Sequence, residues 1–82
     1  MTINRKIKDY RHTIKWKLID LKEEANKVAE EIVRNAPDDI NSKTPGIITS
    51  QGAIHLAILG TEIRECEDRL KFLDWLESED ET

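Results

Sequence analysis

Residues 3–32 read INRKIKDYRHTIKWKLIDLKEEANKVAEEI, and the spacing of the apolar residues in this stretch decides the fold. These residues recur every three or four positions, which places them along one side of an α-helix. The members of this first stripe are Ile3, Ile7, Tyr10, Ile14, Leu18, Leu21, Ala25, Val28 and Ile32. The stripe keeps to about 3.6 residues per turn, so we expect a nearly straight helix rather than the supercoiled helix of a leucine zipper.

A second stripe with the same stepping follows a segment that breaks helices. Its members are Leu56, Leu59, Ile63, Cys66, Leu70 and Leu73. Between the stripes, Pro37, Pro45 and Gly46 favour turns. The predicted segments are a helix over 3–35, a linker over 36–48, a helix over 49–77 that begins at Thr49 or Ser50, and an acidic tail over 78–82. The chain, residues 1–82, is thus predicted to form one all-α domain, an antiparallel two-helix hairpin.

Several large apolar residues lie outside both stripes and are predicted to point away from the seam between the helices. They are Trp16, Ile19, Ile54, Ile58, Phe72, Trp75 and Leu76. A hairpin of 82 residues has little interior, and ordering costs about 1.5 kcal/mol per residue. We therefore expect the hairpins to assemble into a helical homo-oligomer that covers this second apolar face.

The composition bounds the class of protein and its compartment. The chain is 37% charged and 38% hydrophobic, which is typical of amphipathic helices. It lacks the apolar run of about 18 residues that a membrane span needs, and its basic N-terminus lacks the apolar core of a signal peptide. The one cysteine, Cys66, lies in the second stripe and is expected to be a small core residue in a reducing compartment. We therefore expect a cytoplasmic protein.

Charge is distributed unevenly along the chain. Residues 1–17 carry six basic residues and one acid, whereas residues 62–82 carry nine acids and three basic residues. In an antiparallel hairpin these two segments lie side by side, so mutual neutralisation is the simplest interpretation. The net charge of −4 argues against binding to long nucleic acid.

The basic residues of the first helix are nevertheless arranged in a pattern. At about 100° per residue, one face away from the main stripe holds Arg5, Lys8, His12, Lys15, Trp16 and Ile19. Tyr10 is flanked by Lys6 and Lys17. An aromatic ring bordered by lysines can stack on a nucleobase while the cations neutralise phosphate. This pattern fits a small anionic ligand held in one basic pocket.

No catalytic or metal-binding constellation stands out in the sequence. It has no glycine-rich phosphate loop and no Cys/His cluster, and its two histidines, His12 and His55, are far apart. We therefore expect a protein that is not an enzyme and that uses neither a metal nor a cofactor.

Short runs in both helices resemble a known family. They are Ile7-Lys8-Asp9-Tyr10-Arg11 followed by Ile19-Asp20-Leu21, and Ala57-Ile58-Leu59-Gly60-Thr61-Glu62-Ile63-Arg64. These runs, the chain length and the hairpin layout resemble the phage anti-CBASS cyclic-oligonucleotide sponges. In that family, small helical subunits assemble into hexamers and sequester cyclic dinucleotides such as cGAMP, and often cyclic trinucleotides, without cleaving them. The resemblance implies an immune-evasion protein that blocks CBASS-type signalling in the host cytoplasm.

The resemblance also implies ligand-binding residues in the first helix. Tyr10 matches the family tyrosine that stacks on a nucleobase. Lys8 and Arg11 match the basic residues beside it. These three residues are the expected core of the ligand site.

Other positions depart from the family pattern. A family lysine that meets phosphate falls near Ala25 or Asn26 here, and Lys27 is the closest substitute. Gly60 stands where an arginine is usual. Asn26 and Thr61 are expected to add polar contacts from a neighbouring subunit.

The sequence leaves a second function class open. Exposed aromatic residues beside charge are common in protein contacts, so a hairpin that presents Trp16, Phe72 or Trp75 fits a regulator or inhibitor of a host protein. A small hydrolase, a third class, has no residue pattern in its favour.

Overall fold

The computed structural model describes residues 3–80, and the side chains of residues 3–78. Helix α1 spans Ile3–Ile40 and helix α2 spans Ile47–Asp80, with no strand among the described residues. The helices pack side by side along their length, and the hairpin measures 62 × 16 × 13 Å. The predicted all-α hairpin is therefore confirmed, as a narrow rod rather than a rounded domain.

One apolar seam joins the two helices. The buried apolar residues are Ile7, Ile14, Leu21 and Val28 of α1 and Leu59, Cys66 and Leu73 of α2. Packed against them and partly buried are Leu18, Ala25, Ile32, Leu56, Ile63, Leu70 and Leu76. On each helix the buried positions recur every seven residues with alternating steps of three and four, which is the spacing of a coiled-coil seam. The predicted steps of about 3.6 residues are thus replaced by a seven-residue repeat.

This period changes which residues belong to the seam. Ile3 and Tyr10, which the sequence prediction placed in the first stripe, are exposed in the structure. Arg11, half-buried, takes the seam position between Ile7 and Ile14. The prediction was wrong here because it did not allow a charged residue in an apolar stripe. The aliphatic stem of an arginine can pack in such a stripe while its guanidinium reaches water or a partner.

Helix α1 continues five residues past the predicted end at residue 35 and includes Pro37. A proline lacks its own amide donor, but its carbonyl oxygen here accepts hydrogen bonds from the backbone N and the Nδ2 of Asn41, at 3.3 and 2.8 Å. The Ser42 hydroxyl likewise donates to the Asp39 carbonyl at 2.7 Å. These bonds satisfy the end of α1 and override the local proline signal.

The turn between the helices is shorter than the predicted linker over 36–48. It consists of residues 41–46, and Gly46 adopts a positive φ of 83° that favours glycine. Helix α2 therefore begins at Ile47, two residues before the predicted start. At the other end, the predicted acidic tail is helical as far as Asp80, and residues 81–82 lie outside the described part of the chain.

Asp39 closes the hairpin at the turn. Its side chain is buried, and its carboxylate accepts hydrogen bonds from the backbone N–H groups of Ile48 and Thr49 at 3.3 and 2.8 Å. Hydrogen bonding with the Thr49 side chain and then with the Thr49 and Ile48 backbone lowers the pKa of Asp39 below its ordinary value of 3.8. The cap of α2 thus comes from α1, whereas the sequence prediction expected it from Thr49 or Ser50 themselves.

We predict that Asp39→Ala lowers the Tm by about 5 °C at neutral pH, because it removes the cap of α2. The folded-state pKa is lowered, so the contribution of the carboxylate is complete above 3.8 and is lost as the pH falls through the native value. The difference in Tm between wild type and variant should therefore shrink in strongly acidic buffer. Thermal melts followed by circular dichroism at neutral and acidic pH measure both effects, and a difference that persists unchanged in acid contradicts the ionic cap.

The two glycines of α2 offer a matched pair for testing the packing. A Cβ at Gly60 meets no atom within 4 Å, so Gly60→Ala should raise the free energy of unfolding by about 1 kcal/mol through helix propensity. A Cβ at Gly52 lies 2.7 Å from Ile32 Cγ1, so Gly52→Ala should lower it by about 1 kcal/mol through overpacking. Urea unfolding of both variants at one protein concentration measures the two changes. If both substitutions change the free energy of unfolding equally, the close packing of Gly52 against Ile32 is contradicted.

Candidate functional site

The side of the hairpin away from the seam carries the second apolar face that the sequence predicted. Trp16 and Ile19 of α1 are exposed. So are Ile54, Ile58, Phe72 and Trp75 of α2, and the last two rings stack with centroids 5.8 Å apart. Leu76 is the exception, because it is half-buried and packs against the core. Each helix therefore offers apolar surface to something outside this one chain.

A shallow open pocket lies on the N-terminal third of α1. It has a volume of about 430 Å³ and is lined by Lys8, Asp9, Arg11, His12 and Lys15. Lys8, Arg11, His12 and Lys15 are spaced by three or four residues, so successive turns of one helix bring them together. Asp9 directly follows Lys8 in the sequence. The pocket carries a net positive charge, because Lys8 and Lys15 outnumber Asp9, while the Arg11 guanidinium is paired with Glu77 and Asp74.

Trp16 stands beside this pocket through its contact with His12. The indole Nε1 donates a hydrogen bond to His12 Nε2 at 2.8 Å, and the two rings meet edge to face. The indole is half exposed and supplies a flat surface next to the cations.

Arg11 links the pocket to the seam. Its guanidinium donates to Glu77 at 2.7 Å and lies 3.0 Å from Asp74, so the basic start of α1 and the acidic end of α2 neutralise each other here, as the sequence analysis expected. Its Nη1 and Nη2 thus each face a carboxylate oxygen of α2, and its Nε is buried without a hydrogen-bond acceptor among the described residues. Arg11 is therefore used by the fold.

The six residues that the family resemblance implied do not form one site within a single chain. Lys8 and Arg11 line the pocket. Tyr10 is exposed about 200° around the helix from His12, hence on the opposite side of α1. Asn26 and Lys27 are exposed and lie about 22 Å from His12 along the axis of α1.

The last of the six, Thr61, lies on the other helix and is exposed. Its hydroxyl donates to the carbonyl of Ala57 within α2 at 3.1 Å. The sequence analysis placed His12, Lys15 and Trp16 on the basic face of α1 but did not name them as ligand-binding residues. The spacing of four and seven residues from Lys8 to His12 and Lys15 was the signal that they share one surface.

Other site classes find no support in the described residues 3–80. No three His, Cys, Asp or Glu side chains come together there as a metal site. His55 instead lies 3.7 Å from Glu24 across the helices. No helix in this range is long and apolar enough to cross a membrane. The chain matched no known protein family, no curated protein and no solved structure.

We predict that Arg11→Ala lowers the free energy of unfolding by about 1 kcal/mol, because it removes the interhelical ion pairs and the packing of the aliphatic stem. Lys8→Ala and Lys15→Ala, which remove exposed cations from the same pocket, should change it by less than about 0.5 kcal/mol. Urea unfolding of the three variants separates a structural arginine from two free lysines. If all three substitutions change the free energy of unfolding equally, the structural role of Arg11 is contradicted.

Proposed function

We propose that the protein is a non-catalytic sponge for cyclic dinucleotides, and for cyclic trinucleotides where they fit. It binds these second messengers without cleaving them, in the cytoplasm of the host cell, and so blocks CBASS-type signalling on behalf of a phage. Subunits assemble into a homo-oligomer, a hexamer by analogy with the sponge family.

The observation that carries this proposal is the cationic pocket beside an exposed indole. Lys8 and Lys15 are exposed pocket residues whose ammonium groups can neutralise a phosphate. Trp16, in contact with the pocket residue His12, offers a ring on which a nucleobase can stack. Phosphate and base are the two chemical groups that a cyclic dinucleotide presents.

An open pocket on one helix does not enclose such a ligand, so the proposal requires contributions from more than one copy. Tyr10, Asn26, Lys27 and Thr61 are exposed and lie outside the pocket. They reach the same ligand only from a neighbouring subunit. Symmetric ligands are well matched by sites of this kind, because an interface between identical chains supplies each group twice.

The proposal is tested by calorimetric titration with a panel of cyclic dinucleotides that includes cGAMP, followed by recovery of the ligand. We expect tight binding and chemically intact ligand. Trp16→Ala should weaken binding by about 1–3 kcal/mol, since it removes a stacking surface, and Lys15→Ala should weaken it by about 1.5–3 kcal/mol through the lost charged hydrogen bond. Tyr10→Ala tests the contribution from a neighbouring copy.

Lys22→Ala is the matched control. Lys22 is an exposed lysine seven residues beyond Lys15 on the same row, but outside the pocket. It should bind the ligand like wild type. The proposed site is contradicted if no cyclic dinucleotide binds, or if the Lys15 and Lys22 variants lose the same amount of affinity. Conversion of the ligand contradicts the non-catalytic mechanism.

A second candidate function is a small helical regulator that binds a host protein. The stacked pair Phe72 and Trp75 on the exposed side of α2 favours it, because aromatic residues at the centre of an apolar patch carry much of the energy in protein contacts. In that case the titration above shows no heat with any cyclic nucleotide, and Trp16→Ala is without effect on it.

A further inference from the structure

The outer apolar face of α2, defined here as Ile47, Ile54, Ile58, Phe72 and Trp75, is a surface that the proposed ligand site does not use. All five side chains are exposed, and they lie away from the seam residues Leu59, Cys66 and Leu73. From its first to its last member the face extends about 42 Å along the helix, and its apolar residues form two groups on either side of a polar middle. Large apolar residues gathered on one exposed helix face indicate a binding partner rather than scattered surface residues.

The charged residues within this face indicate what the partner is. Exposed Glu65 and Asp68 interrupt the apolar residues near the middle of the face, and exposed Arg64 and Arg69 each adjoin one of them. Acids in the centre of an apolar contact are unfavourable unless a cation lies opposite. A partner for this face therefore has to present cations at its centre and apolar groups at both ends.

A second copy of the same face meets that requirement at Glu65 when it runs antiparallel, whereas Asp68 then lies opposite Thr61. Measured from the midpoint between Arg64 and Glu65, Ile54 and Trp75 lie equally far in opposite directions, and so do Ala57 and Phe72. A two-fold axis at this midpoint therefore places isoleucine opposite tryptophan at both ends. It also places Arg64 of each copy opposite Glu65 of the other.

A parallel arrangement lacks this complementarity. It places Glu65 against Glu65 and Asp68 against Asp68, and like charges in direct opposition are destabilising. The charge pattern thus selects both the partner and its direction.

We propose that α2 pairs with α2 of a second copy in an antiparallel, two-fold contact through the outer apolar face. This contact does not depend on nucleotide binding. Its aromatic anchors are Phe72 and Trp75, which already stack on each other within one chain and therefore enter the contact as one rigid unit.

Sedimentation equilibrium of the full chain across micromolar concentrations tests the contact without any ligand. We expect wild type to sediment as a dimer or a larger even-numbered assembly. Trp75→Glu should raise the dissociation constant at least about 30-fold, the effect of losing a buried aromatic anchor. Val33→Glu, which adds the same charge at an exposed apolar position of α1, should dissociate like wild type. Circular dichroism confirms that both variants remain helical.

A charge exchange tests the direction of the pairing. Arg64→Glu alone should weaken the dimer, because it opposes Glu65 of the second copy. The double variant Arg64→Glu/Glu65→Arg should restore it, because opposite charges meet again while the net charge stays the same as in wild type.

Three results overturn the proposal. They are a monomeric wild type at every concentration, a Trp75→Glu variant that stays associated, and an assembly that Trp16→Glu dissociates while Trp75→Glu does not. Loss of nucleotide binding with the dimer intact overturns the proposed function alone.

Discussion

One narrow seam between two helices is the constraint on which the rest of this structure depends. Two helices can bury only the edges that face each other, so each keeps more than half of its surface in contact with solvent. The seam takes one residue at every step of three or four along each helix, and seven apolar residues of the described chain are buried in it. Every additional large apolar residue must lie outside, which is why Trp16 and Trp75 are exposed although the rod is well packed.

Polar contacts close the seam at both ends and thereby fix the register of the helices. At the turn, the Asp39 carboxylate holds the first amides of α2. At the open end, Arg11 holds Glu77 and Asp74. Between them, the close approach of Gly52 to Ile32 allows no bulkier residue without a shift. A slip of either helix breaks these contacts together, so the apolar repeat alone does not have to determine the alignment.

The sequence predicted the hairpin correctly because apolar periodicity over eight or more turns is a strong signal. It was weaker at positions 10 and 11. Helical repeats of 3.5 and 3.6 residues per turn differ by only about 20° per seven residues. Near the start of α1, Tyr10 therefore fits the apolar stripe as well as Arg11 does. Only the contacts of Arg11 with the other helix, which are not visible in the local sequence, decide between them.

The helix ends and the pocket show the same limit. Pro37 predicts the end of a helix from local geometry, yet bonds from Asn41 and Ser42 carry α1 to Ile40. The basic face of α1 was visible in the sequence, and the pocket contains its members Lys8, His12 and Lys15. Trp16 could not be preferred to Tyr10 as its aromatic neighbour, because that choice depends on the hydrogen bond between Trp16 and His12.

The ligand site and the proposed dimer contact lie on different helices, and this separation limits how an assembly can be built. Arg11 contacts α2 about ten residues from the proposed two-fold axis, so the two pockets of a dimer lie about 30 Å apart along the rod. That spacing gives each pocket its own ligand. A closed cavity that also includes Asn26 and Lys27 then requires another contact, formed by α1. Ile19 is exposed on α1, and in the proposed assembly it adds apolar surface to that contact while Trp16 stacks on the ligand.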